Sequence, residues 1–93
     1  MLHIVDDEEV IRDSLAWLAQ SRGLNARSYP GGQEFLDVIK DLDVSGDCVL
    51  LDVRMPGMNG IAVFDDLFKR GLLPRLPVIF LTGHGDVPMA VDS

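Results

Sequence analysis

The sequence is short of the features that would tie it to a membrane, to a nucleic acid or to an oxidising compartment. It contains one cysteine, Cys48, so an internal disulfide is excluded. A reduced, cytoplasmic setting is the expectation. Bases are few: 8 Lys and Arg stand against 15 Asp and Glu, a net charge of −7. Direct binding to nucleic acid or to an anionic membrane needs the opposite sign. No apolar run approaches the roughly 20 residues of a membrane span. The opening residues Met1-Leu2-His3-Ile4-Val5 carry no basic segment and no long apolar stretch, so no secretory leader is expected. There is no internal repeat, low-complexity tract or long linker. With 93 residues, 47% hydrophobic and 25% charged, the chain is expected to form one domain, residues 1–93, near the lower size limit for independent stability.

What is there is an alternation of short apolar runs and amphipathic segments. Leu2–Val5 is an apolar run that stops at Asp6-Asp7-Glu8-Glu9. Val10, Ile11, Ser14, Leu15, Trp17 and Leu18 then recur at helical spacing, and the acids before them suit the positive end of a helix dipole. Arg22-Gly23 suits the end of that helix. Leu24–Ser28 reads as a short strand and Pro30-Gly31-Gly32 as a break. Phe35, Leu36, Ile39 and Leu42 mark a second helix. Cys48-Val49-Leu50-Leu51 has the continuous apolar character of a strand covered on both faces. Pro56–Gly60 is loop chemistry, and Ile61, Phe64, Leu67 and Phe68 mark a third helix ended by Gly71. Pro77–Leu81 is another buried strand, Thr82–Asp86 a loop, and Pro88 the expected first residue of a fourth helix. The order β-α-β-α-β-α-β predicts an α/β fold, a parallel sheet with helices on both faces.

In such sheets ligands bind beyond the carboxyl ends of the strands. Three strands end there in polar or acidic residues: Val5 before Asp6-Asp7, Leu51 before Asp52, and Leu81 before Thr82. Asp6, Asp7 and Asp52 would form a carboxylate cluster whose mutual repulsion calls for a cation. Oxygen ligands alone favour a hard ion, and Mg²⁺ suits best because it also accepts phosphate oxygens. A carboxylate in such a site can attack phosphorus and form an aspartyl phosphate. Thr82 can donate a hydroxyl hydrogen bond to the phosphoryl group, and the Gly83 backbone can approach it closely. Each residue alone has a plainer reading: Asp7 as a helix cap, Asp52 and Thr82 as turn residues, His3 and Trp17 as packing. Together, at the ends of successive buried strands, they point to a site. A dinucleotide loop at Gly83-His84-Gly85 lacks its third glycine, and no Walker lysine loop is present. A phosphatase of the haloacid dehalogenase type would need a second Asp where Arg54 stands.

These residues carry a resemblance. Ile4-Val5-Asp6-Asp7-Glu8, the run Leu50-Leu51-Asp52-Val53-Arg54-Met55-Pro56-Gly57-Met58-Asn59-Gly60, and Pro77–Gly83 resemble the receiver domain of bacterial two-component response regulators. The stretch Leu81–Asp86 is most similar to the receivers of nitrogen-fixation and dicarboxylate-transport regulators. The resemblance implies a flavodoxin-like doubly wound sheet of strand order 2-1-3-4, with the family's fifth strand and fifth helix absent from a truncated chain. It implies Asp52 as phosphoacceptor, with Mg²⁺ held by Asp7, Asp52 and the backbone carbonyl of Arg54, and by Asp6 through water. Thr82 would contact the phosphoryl group and act as the switch, with Gly83 beside it. Arg54 and His84 occupy positions that tune the lifetime of the phosphate. The partner implied is a sensor histidine kinase, and the output transcription regulation through an effector domain not in this chain. The resemblance also implies a module that assists its own phosphorylation and dephosphorylation and is not otherwise an enzyme.

The family's phosphate-pairing lysine has no counterpart in Lys40 or Lys69, both in helical segments. The competing reading is therefore a receiver-shaped interaction fragment that carries no phosphate signal. Without a fifth strand, Val78–Leu81 becomes a sheet edge. Self-association through that edge or through residues 87–93 is expected. The alternative is a tail that folds back over the edge.

Overall fold

Parallel pairing of strands around the buried apolar β1, β3 and β4 organises the molecule. The computed structural model describes residues 1–73 and 75–81, and the backbone of 89–91. The elements are β1 (Leu2–Val5), α1 (Glu9–Ser21), β2 (Ala26–Tyr29), α2 (Gly32–Ile39), β3 (Cys48–Asp52), α3 (Gly60–Lys69), β4 (Val78–Leu81) and β5 (Met89–Val91). They form one sheet of order β2-β1-β3-β4-β5. The first four strands are parallel, in the expected order 2-1-3-4, and β5 runs antiparallel to β4.

The segment expected to begin a fourth helix is thus partly a strand: Met89 pairs with Phe80 and Val91 with Val78. Pro88 itself lies outside the described residues. Val78–Leu81 is consequently not the open edge that the sequence led us to expect. The tail folded back over it, as in the alternative, and satisfied backbone groups that would otherwise face an open side.

The main core lies on one face of the sheet. Val5, Val49, Leu51, Val78 and Phe80 meet Phe35, Leu36 and Ile39 of α2 and Val63 and Leu67 of α3. Here α2 and α3 pack closely because Gly32 has no side chain; a Cβ there would collide with Val63. Asn59 caps α3, its side chain accepting the Ala62 N–H at 2.9 Å. The strand residues alternate, so the fully buried Ile4 faces the other side, where α1 packs on β1 and β2.

The apolar stripe of α1 does not face inward as the periodicity suggested. Only Ala19 is buried, whereas Val10 is 73% and Trp17 70% exposed, and Leu18 is exposed as well. Trp17 is therefore not a packing residue within the described structure. The same holds for Ile61 and Phe68 on α3 and Leu42 after α2, all exposed. The physical reason is geometric. A helix lying on a sheet contacts it along a narrow strip, and the rest of a wide apolar stripe is covered only by a neighbouring element.

His3 is fully buried within β1. Its Nδ1 is 2.8 Å from the Tyr29 hydroxyl and its Nε2 2.8 Å from Asp47 Oδ2. Asp47 also accepts the amino terminus at 2.8 Å. Desolvation pushes the Asp47 carboxyl up, but the hydrogen bonds from the amino terminus and His3 outweigh it and hold the group below its ordinary value. The role is structural, as expected for a histidine inside a strand.

The contrast between core and stripe is measurable. Phe35→Ala is expected to cost about 3–5 kcal/mol, because it empties a packed site. Trp17→Ala should cost less than about 1 kcal/mol, as at an exposed position. Urea denaturation of both variants checks this, and equal losses would contradict the packing described.

Candidate functional site

The carboxyl edge of the sheet gathers the acids. Val5 is the Cα partner of Leu51, so Asp6 and Asp52, one residue further on, leave the sheet side by side. Asp6 and Asp52 are buried and Asp7 is exposed. One carboxylate oxygen from each of the three lies within 4.8 Å of the others. The structure thus brings together three of the acids singled out in the sequence.

The two buried ones are each held by their own turn. Asp6 Oδ1 accepts the Glu8 N–H at 2.8 Å, and Asp52 Oδ1 accepts the Arg54 N–H at 3.1 Å. The Asp6 amide donates to the Tyr29 carbonyl of β2 at 3.2 Å, and the Val53 amide to the Leu81 carbonyl of β4 at 3.1 Å. The side chain of Arg54 is exposed. Thr82, Gly83 and His84 lie outside the described residues. The strand that precedes them ends at Leu81, whose Cα partner is Asp52. Lys69 pairs with Asp65 at 3.0 Å along α3, and Lys40 caps the end of α2. Neither belongs to the cluster.

Two residues have roles at the site that the sequence did not show: Gly60, named there only as part of the Asp52–Gly60 run, and Arg12. Gly60 opens α3 directly against the β3–α3 turn. A Cβ there would strike the Asp52 carbonyl oxygen and come within 2.9 Å of the Val53 Cα, so only glycine lets the helix start there. Arg12 reaches back from α1 to the Asp6 carbonyl at 2.8 Å. Its signal in the sequence was faint: a single base within the first turns of an acidic helix.

Crowding sets the electrostatics. Burial pushes the Asp52 carboxyl up to about 6, and the charges of Asp6 and Asp7 add to that, against the pull of the Arg54 amide. Asp6 is also raised, chiefly by burial, opposed by the Glu8 amide and Arg12. Three oxygen donors with no nitrogen or sulfur, two of them destabilised as free anions, suit a hard divalent cation such as Mg²⁺.

A response regulator receiver domain model matches residues 2–93. The chain belongs to the receiver family. Receivers are phosphotransfer signalling modules of two-component systems. Over 94 residues this receiver is 51% identical to the C4-dicarboxylate transport transcriptional regulatory protein DctR of Rhodobacter capsulatus, covering 99% of the chain and 46% of that protein. The crystal structure of FixJ-N matches with a TM-score of 0.80 at 37% identity, over 98% of this chain and 70% of that one. The response regulator TrrA of Thermotoga maritima, solved in complex with Mg(2+)-BeF, matches with a TM-score of 0.78 at 28% identity, over 90% and 70%. The resemblance drawn from the Asp52–Gly60 run is thereby borne out. This receiver spans less than half the length of the full-length curated relatives it matches, 46% of DctR and 42% of the FixJ regulator of Azorhizobium caulinodans. No described helix is long and apolar enough to cross a membrane.

The raised Asp52 carboxyl has a consequence for stability. Its value stands at 3.8 when unperturbed and about 6 in the fold, so the folded receiver holds that proton more tightly than the unfolded chain. The resulting stabilisation is complete below about pH 4 and is lost as pH rises through about 6. Metal-free stability should fall over that window. Asp52→Asn should flatten the slope and gain roughly 2–3 kcal/mol at pH 7. Denaturant titrations from pH 4 to 8 in a chelator check this; an Asp52→Asn receiver less stable than the parent at pH 7 would refute it.

Proposed function

We propose that residues 1–93 act as one receiver unit that accepts a phosphoryl group on Asp52 from the phosphohistidine of a sensor histidine kinase. The observation that carries this reading is the carboxylate cluster itself, with oxygens of Asp6, Asp7 and Asp52 within 4.8 Å of one another beside a buried strand end. In its anionic form Asp52 attacks phosphorus through a carboxylate oxygen. The P–N bond of the donor breaks as the P–O bond forms, and the freed imidazole takes its proton from solvent. Asp7, Asp52 and the Arg54 carbonyl would hold Mg²⁺ directly, and Asp6 through water. The ion supplies positive charge that favours ionised Asp52 and offsets charge on the phosphoryl oxygens. TrrA, similar in fold, is in complex with Mg(2+)-BeF, which supports Mg²⁺ as the ion for this receiver.

The Arg54 amide fixes the orientation of the Asp52 carboxylate. Thr82 contacts the phosphoryl group as the switch residue, with the Gly83 backbone beside it. The pairing of Leu81, the residue before Thr82 in the sequence, with Asp52 supports both assignments. The unit is a phosphoacceptor, not a turnover enzyme. It works in the cytoplasm, and its output in a longer protein is transcription regulation.

The second reading, a receiver-shaped fragment without phosphate chemistry, is favoured by one observation. Among the described residues no lysine reaches the cluster: the chain has only Lys40 and Lys69, both placed elsewhere. Mass spectrometry after exposure to acetyl phosphate and Mg²⁺ separates the two. The first reading expects the gain of one phosphoryl group, abolished in Asp52→Asn. An unmodified parent receiver would select the second.

Self-association through residues 87–93 belongs to the same proposal. With β4 covered, β5 is the terminal strand of the sheet. It pairs over only three residues, and a second copy can supply the same strand by exchange. Sedimentation over a range of concentrations should show a dimer at the high end. A 10.2 kDa monomer throughout would overturn it.

A further inference from the structure

We propose that Arg12 is a positioning residue for the acidic pocket. Reaching back from α1, its guanidinium pins the β1–α1 turn in the shape that aims Asp6 and Asp7 at Asp52. This inference rests on the reading of those acids as the metal-holding phosphoacceptor site.

The turn has little else to hold it. It carries four consecutive acids, Asp6 to Glu9, and Arg12 is the only Lys or Arg among the first 21 residues. Glu8, at the N-cap of α1, makes no side-chain capping bond. Asp6 is fixed instead at three points. Its amide donates to the Tyr29 carbonyl at 3.2 Å, its Oδ1 accepts the Glu8 amide at 2.8 Å, and its carbonyl accepts Arg12 Nη1 at 2.8 Å. The Arg12 bond ties the turn to α1 by a side chain, and it acts on the peptide that joins Asp6 to Asp7. Its loss loosens the backbone that carries both carboxylates, while the Glu8 amide still holds Asp6 Oδ1.

The placement of Arg12 on its helix is unusual. It is half-buried, on the side of α1 that carries Leu15, Ala16 and the buried Ala19, whereas Val10, Trp17 and Leu18 stand in solvent. The helix thus turns one charge inward beside three apolar residues and leaves Val10, Trp17 and Leu18 outward. Among the described residues Arg12 also forms no ion pair with a carboxylate. The guanidinium is used as a directed donor to one backbone oxygen, a task that suits its rigid fork of N–H groups.

The sign of one measurement separates positioning from simple charge. If Arg12 were only a cation near acids, its removal would make the pocket more negative and Mg²⁺ binding tighter. If it positions the turn, removal weakens binding, because groups that orient metal ligands are typically worth about 10–100-fold in affinity.

The experiment is calorimetric titration of Mg²⁺ into the parent receiver, Arg12→Ala and Arg12→Lys. It is paired with amide hydrogen exchange of the metal-free proteins well below their unfolding temperature. We expect affinity to fall about tenfold or more in Arg12→Ala and most of it to return in Arg12→Lys, which keeps a donor. Exchange should accelerate at the Asp6 and Glu8 amides and stay unchanged at Phe35 in α2. Where Arg12→Ala does not fold, Arg12→Gln replaces it. Affinity that is unchanged or tighter in Arg12→Ala overturns the inference, as does acceleration spread evenly over the chain. A parent receiver that binds no Mg²⁺ refutes the metal-site reading itself. In that event exchange at Asp6 and Glu8 still decides whether Arg12 holds the turn.

Discussion

The register between β1 and β3 is the constraint on which the rest depends. Val5 opposite Leu51 places Asp6 and Asp52 at the same height on neighbouring strands. A slip of one residue would turn every side chain of one strand to the other face. It would turn Val49 and Leu51 of β3 away from the core face and bring Leu50 and Asp52 onto it. The apolar core on one face of the sheet penalises that slip, so the packing of Val5, Val49 and Leu51 specifies the geometry of the acids. The pocket is the polar end of the same two strands that form the centre of the core.

That arrangement holds an electrostatic tension in place. Asp52 is buried beside two other carboxylates and rises to about 6, which weakens it as an anion near neutral pH. The same crowding makes the pocket receptive to a cation. The surrounding backbone compensates locally, with an amide donated to Asp6, another to Asp52, and Gly60 sparing the Asp52 carbonyl a collision. Perturbed carboxyl groups clustered at a strand end are a mark of chemistry, and here geometry and electrostatics agree.

The two faces of the sheet are unequally dressed. α2 and α3 seal one face, and α1 lies on the other, packed chiefly on β1 and β2. The exposed Val10, Trp17 and Leu18 follow from this, and so does the inward setting of Arg12. Apolar periodicity identified the helices correctly, because spacing follows from 3.6 residues per turn. It says nothing of which arc of a broad stripe meets the sheet. β5 makes the same point. Pro88 followed by apolar residues fits a helix start, but a strand that adds to the exposed side of β4 satisfies backbone groups over a longer range.

The sequence by itself determined the alternation of strands and helices, the parallel sheet, and the residues of the acidic pocket. These are local properties: apolar runs have a length, turns have a composition, and a motif such as Asp52 to Gly60 is contiguous. The family followed from the same run. Only the tertiary structure decided that Arg12 points to the Asp6 carbonyl, that Gly60 must be glycine to clear the Asp52 backbone, that Trp17 stands in solvent, and that Met89–Val91 closes the edge of β4. Each of these depends on distances between residues far apart in the chain or across a turn. Such distances arise only when the sheet closes around its core, and no window of the sequence contains them.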